Sequence, residues 1–158
     1  FSRVSPCGWA RAAVGVGDVR YASQLADAVW ARRGQWALRG PRRDTWDLTS
    51  KAALVSAFAA LDADRYGPAI DQWVAELMSK QAADGSWAGS TQATAYALRA
   101  LTDASNPKAG SATRKAAKWL KAGVGRDGAW PSAGSSPRPN VEVQAEALTA
   151  YLAYSKTP

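Results

Sequence analysis

Across its middle the chain reads Ile70-Asp-Gln-Trp-Val-Ala-Glu-Leu-Met-Ser-Lys-Gln-Ala-Ala-Asp-Gly-Ser-Trp-Ala-Gly-Ser-Thr-Gln-Ala-Thr-Ala-Tyr-Ala-Leu98, and the pattern changes twice within it. Ile70, Trp73, Val74 and Leu77 stand at i, i+3, i+4 and i+7, which draws one apolar stripe down a helix. A turn follows, closing on Gly85-Ser-Trp87. A second segment then opens at Ser90 or Thr91, either of which can cap a helix, and alanine dominates it.

The same order occurs twice more. Gly34-Gln-Trp36, Gly85-Ser-Trp87 and Gly128-Ala-Trp130 recur at intervals of 51 and 43 residues. Tyr21, Leu25, Ala28 and Val29 stripe the segment before the first copy; Ala112, Ala116, Trp119 and Leu120 stripe the segment before the third. Downstream, Lys51–Leu61 and Val141–Tyr151 each align without gaps on Thr91–Leu101. Alanine combines high helix propensity with a thin side chain, so these downstream helices are expected to pack closely on the inside. The upstream helices, with Trp and Lys, are expected outside and half wetted. Repeats of this period mark stacked helical units, here roughly 18–62, 67–104 and 110–155 of one domain spanning 1–158. Residues 37–47 and 131–140, rich in Pro, Gly, Ser and Arg, are expected to be loops.

The 158 residues suit one domain, and the net charge of +7 is uneven. Residues 1–50 carry eight Arg and four Asp, 51–107 carry four basic and six acidic residues, and 108–158 carry eight basic and three acidic. Basic ends can attract a polyanion, although Lys115, Lys118 and Lys121 also suit a solvated helix face. No apolar run reaches the length of a membrane span. Opening on Phe1 suggests a processed or trimmed product and leaves the compartment open, with a secreted or periplasmic one favoured. A single Cys7 and the absence of histidine exclude a disulfide framework, a cysteine-only zinc site and every His-based catalytic arrangement. No metal or cofactor is expected.

Lys80-Gln-Ala-Ala-Asp-Gly-Ser-Trp87 resembles the QW repeat of squalene-hopene cyclases and related triterpene cyclases, and Lys121–Trp130 resembles the same motif with its glutamine lost. The resemblance implies an α/α toroid, all-α and of the terpenoid cyclase/prenyltransferase type. It also implies that Gln81 caps helix ends and stacks on Trp87 in a structural role shared by Trp36, Gly85, Gly128 and Trp130. Gly89–Leu98 and Asn140–Leu148 resemble inner helices of the thioester domains of the complement and α2-macroglobulin family, which implies the same toroid. Three units make about half a ring, so the chain is expected to be a fragment, an open half-toroid, or one protomer of a pair, with a protein partner or a second copy completing the ring in the last case.

Catalysis tests poorly against each relative. Cyclases of this kind protonate an alkene through Asp-x-Asp-Asp, and the nearest run, Asp62-Ala-Asp64-Arg65, ends in Arg before Tyr66-Gly67-Pro68, where aspartates usually serve turns. A thioester needs Cys-Gly-Glu-Gln, and Cys7-Gly8 continues as Trp9-Ala10. The prenyltransferase zinc site needs a histidine. Trp9 and Trp46 are the aromatic side chains left for a pocket. The expected function is therefore a non-catalytic module contacting a protein partner or polyanion. The alternatives are a cyclase-like enzyme using Asp62 and Asp64, or a lyase on an acidic polysaccharide. In the lyase, Arg39, Arg42, Arg43 and Arg138 would grip carboxylates and Tyr66 or Tyr96 would act as base. Where Asp62 and Asp64 point discriminates between them.

Overall fold

A computed structural model describes residues 18–31, 43–131 and 140–157, with the backbone alone for 43–47. Six α-helices follow one another among the described residues: α1 (Val19–Ala31), α2 (Arg43–Asp62), α3 (Gly67–Ser79), α4 (Thr91–Asp103), α5 (Gly110–Ala122) and α6 (Val141–Ser155), with a 3-10 turn at Pro107–Ala109 before α5. Among the described residues there is no strand, and no helix is long and apolar enough to cross a membrane. The protein is all-helical, a piece of an α/α toroid.

The helices form two layers. α2, α4 and α6 line up as the inner layer, with the most extensive packing between α4 and α6 and between α2 and α4. Their alanines make this possible: Ala52, Ala93, Ala95, Ala97, Ala100 and Ala147 are fully buried, and a methyl group lets helix axes approach closely. Outside lie α1, α3 and α5. Each of α3 and α5 packs more on the inner helix before it than on the one after it, because the links 63–66 and 104–109 turn the chain straight back. α3 begins with Pro68 in its first turn, where a missing N–H costs nothing. Ser90 caps α4, its hydroxyl accepting from the Ala93 amide at 3.3 Å. Asn140 caps α6 through the amides of Glu142 and Val143.

One core runs from α1 to α6. At its α1–α3 end Phe58 stacks on Tyr66 at 4.3 Å between ring centroids, and Trp73 lies edge-on to Trp30 at 5.7 Å. The stripes expected on α3 and α5 are buried there, with Trp119 half-buried. Two expectations fail. On α1 the buried residues are Ala22, Ala26 and Val29, while Tyr21 and Ala28 face solvent. Two alanines bring α1 close enough for Trp30 to reach Trp73, a contact a bulkier stripe would prevent. The loop expected over 37–47 also gives way to α2 from Arg43 onward; no Pro or Gly follows Pro41 until Gly67, so nothing interrupts a helix.

Candidate functional site

The Gly-x-Trp turn is a clasp. After α3 the chain tightens through Gly85 N–H to Ala82 carbonyl and Ala82 N–H to Ser86 carbonyl, both 2.9 Å. Gly85 takes φ +95°, a left-handed conformation that favours glycine. The Trp87 indole is then fully buried and donates to the Leu77 carbonyl at 2.8 Å, one of the last carbonyls of α3, which also accepts the Lys80 N–H at 3.2 Å. The backbone N–H of Trp87 donates to Thr94 Oγ1 on α4 at 3.0 Å. One residue thereby ties the end of an outer helix to the start of an inner one.

The third copy repeats the indole bond and the tie from the Trp N–H to the next inner helix, and adds a return bond. Trp130 Nε1 donates to the Leu120 carbonyl at 2.8 Å, and the Trp130 N–H donates to Gln144 Oε1 at 2.8 Å. Gln144 returns a bond from Nε2 to the Trp130 carbonyl at 2.8 Å. Thr94 and Gln144 occupy equivalent places in the gapless alignment of α4 and α6, which was the signal that could have found them. Trp36, in the first copy, lies outside the described residues.

Gln81 acts between units. Its Nε2 donates to the Gly85 carbonyl at 3.0 Å and to the Ala112 carbonyl of α5 at 2.9 Å. Ala112 lies in the first turn of α5, not at an open helix end, so Gln81 links helices and the indole does the capping. Asp84 adds a second link. Its Oδ1 accepts from the Ser86 N–H and hydroxyl, and its Oδ2 accepts from Trp119 Nε1 at 3.1 Å. The Ser86 N–H and hydroxyl hold the Asp84 carboxyl below its ordinary range.

The aspartate pair is built differently. Asp62 and Asp64 are exposed where α2 ends, and Asp62 Oδ1 accepts the Arg65 N–H at 2.9 Å as a turn residue. Arg65 reaches Asp27 of α1 at 2.9 Å, and the Tyr66 hydroxyl donates to the other oxygen of Asp27 at 2.7 Å. Burial, then Asp27, pushes Tyr66 up to about 12, which keeps the phenol protonated at neutral pH.

Tyr96 lies half-buried on α4 in line with Gln92, Arg99 and Asp103, where Arg99 Nε contacts both Asp103 oxygens at 2.8 and 2.7 Å. A depression of about 590 Å³ opens at the far ends of α4 and α6, between Asn106, Arg114 and Tyr154, and neither Asp62 nor Asp64 lines it. Among the described residues no group of His, Cys, Asp and Glu is placed to hold a metal. Cys7, Trp9, Arg39, Arg42 and Arg138 lie outside the described residues. Arg43 and Trp46 fall in the first turns of α2, where only the backbone is described.

No curated protein and no solved structure matches the chain. A family model for the squalene-hopene cyclase C-terminal domain matches residues 37–154, a span that takes in both described clasps and all of the inner layer but Ser155. With a helical two-layer stack and two Trp clasps that share the same indole bond inside that span, the chain belongs to the squalene-hopene cyclase C-terminal domain family.

Proposed function

We propose that this chain is a non-catalytic repeat module that works by contact, holding a protein partner against the open side of its inner layer. The observation that carries the reading is the contrast between α4 and α6. α4 is covered on both sides, whereas α6 leaves Val141, Leu148 and Leu152 exposed along one side, and apolar stripes of this kind mark interaction surfaces.

The competing cyclase reading places the protonating acid at Asp62 or Asp64. Such an acid is kept protonated by burial or by close like charge, and both carboxyls stand in solvent beside Arg65. The test is incubation with a linear polyprenoid and analysis of the products by mass spectrometry. Unchanged substrate is expected from the wild-type chain. Cyclised product that disappears in Asp62→Asn/Asp64→Asn would overturn the contact reading. The exposed Arg114, Lys115, Lys118 and Lys121 of α5 support a polyanion as a second kind of partner, whose binding would weaken steeply with added salt.

A further inference from the structure

The two ends of the stack are complementary in the same way as its consecutive units. α4 lies between α2 and α6, so its two sides show what an inner helix presents to its neighbours. The side turned towards α6 carries Thr91, Ala95, Leu98 and Thr102 at i, i+4, i+7 and i+11. Thr91 donates to the Pro131 carbonyl beyond it at 2.9 Å, and Thr91, Ala95 and Leu98 are 4%, 0% and 0% exposed. The equivalent residues of α6 are Val141, Ala145, Leu148 and Leu152. There Val141, Leu148 and Leu152 are 81%, 51% and 47% exposed, and Ala145 is exposed as well. The uncovered stripe on α6 is thus the stripe that α6 itself covers on α4.

The opposite side of each inner helix is made small. On α4 it is Ala93, Ala97 and Ala100, all fully buried; on α6 it is Val143, Ala147 and Ala150, buried against α4. In the same alignment α2 presents Ala53, Ala57 and Ala60, with Ala53 half-buried, Ala57 buried at 1% and Ala60 exposed. Bulky residues of one inner helix seat on alanines of the next, and among the described residues a bulky side of α6 stands uncovered and an alanine side of α2 is partly open.

The outer layer agrees. Gly85 lies so close to α5 that a Cβ would stand 2.6 Å from the Lys115 carbonyl oxygen, whereas a Cβ on Gly128 would meet nothing within 4 Å. Val124, at the place of Gln81, is exposed. Aligning Gly34–Trp36 on Gly128–Trp130 sets Tyr21 at the place of Lys115, and Tyr21 and its neighbour Val19 are exposed too. Among the described residues the large exposed hydrophobic side chains are Val19, Tyr21, Val124, Val141, Leu148 and Leu152, and all six belong to one end of the stack or the other.

We infer that two copies of this chain join head to tail, with Val141, Leu148 and Leu152 of α6 in one copy seated on the side of α2 that opens at Ala53 and Ala60 in the next. The inference rests on the contact-module reading and names its partner. Because the two faces differ, the contact is heterologous, and it either closes into a ring or propagates.

Sedimentation equilibrium tests it. The mass of the wild-type chain should rise with concentration above the 16.7 kDa of one copy. Leu148→Glu and Ala60→Glu both change exposed positions, so each variant should keep its helical circular dichroism. Each should associate at least about tenfold more weakly, since burying one unpaired charge exceeds the free energy of a tenfold change. Mixed together they should form a single dimer that grows no further, the free α6 face of Ala60→Glu meeting the intact α2 face of Leu148→Glu. A wild-type chain that stays monomeric overturns the inference. So does association that Leu148→Glu abolishes and Ala60→Glu leaves untouched, which would mean α6 pairing with α6. Either result leaves the contact-module reading standing, because that reading falls to turnover of a polyprenoid.

Discussion

Gly85 and Gly128 occupy one place in two copies of the same turn and have left-handed φ values of +95° and +78°, yet their surroundings differ. Alanine at Gly128 bears the conformational cost alone, roughly 1–2 kcal/mol, because nothing lies near its added methyl. Alanine at Gly85 must also push the backbone of α5 away at Lys115, against the Gln81 and Asp84 bonds that hold it there. Urea unfolding should therefore show Gly85→Ala losing clearly more stability than Gly128→Ala, and equal losses would mean that the two units are not clasped as described. Tyr66 gives a pH-dependent counterpart. Its folded pKa of about 12 exceeds the ordinary 10.0, so the unfolded chain releases the phenolic proton first. The stability tied to that proton is fully present below pH 10 and is lost as pH rises through about 12. Tyr66→Phe should lose about 1 kcal/mol at neutral pH, the worth of one hydrogen bond, and should flatten the alkaline decline in thermal unfolding. A decline unchanged in the variant would place its origin elsewhere.

At the scale of elements, periodicity made α3 and α5 legible because each carries a stripe bounded by a turn, and α4 was legible from its capping Ser90 or Thr91 and its run of alanine. α1 was harder to read. Its buried side is Ala22, Ala26 and Val29, and alanine contributes little to a hydrophobicity pattern, so the larger Tyr21 pulled the reading a third of a turn away. The start of α2 was lost for the opposite reason: Gly40-Pro41 and the arginines around them look like loop, and the helix simply begins two residues later. The clasps were half legible. Gly-x-Trp with its upstream glutamine marks the place, and a resemblance supplied its structural role. The partners of that place are scattered by distance in the chain: Leu77 is ten residues before Trp87, Thr94 seven after it, and Ala112 thirty-one after Gln81. Only superposing α4 on α6 brings Thr94 and Gln144 together, and both can accept the same indole residue's N–H even though one is a hydroxyl and the other an amide. Asp62 and Asp64 were legible as turn residues from the Tyr-Gly-Pro that follows, and their exposure bears on the same point.

For the whole molecule, a stack in which each helix touches mainly its neighbours should not be equally stable along its length. α4 buries eight residues and is flanked on both sides, while α6 buries Val143, Ala147 and Ala150 and is flanked on one. Opening α4 separates two inner-layer interfaces and exposes Leu98, Leu101 and the Trp87 clasp; opening α6 separates one. At about 25 cal/mol per Å² of apolar surface, losing one interface in place of two leaves a difference well above the roughly 1.4 kcal/mol that makes a tenfold change in an opening equilibrium. Amide hydrogen exchange should accordingly find α4 the most protected helix, with α6 opening at least about tenfold more readily. Within α6 the gradient has a direction. Asn140 caps its first turn and Gln144 grips both backbone groups of Trp130, whereas Leu152 is exposed and Ser155 and Thr157 bond only within their own turns. Exchange should begin at the C-terminal end and stop short of Gln144. Uniform protection from α2 to α6 would instead mean that the stack unfolds as one unit, with the open side of α6 costing it nothing.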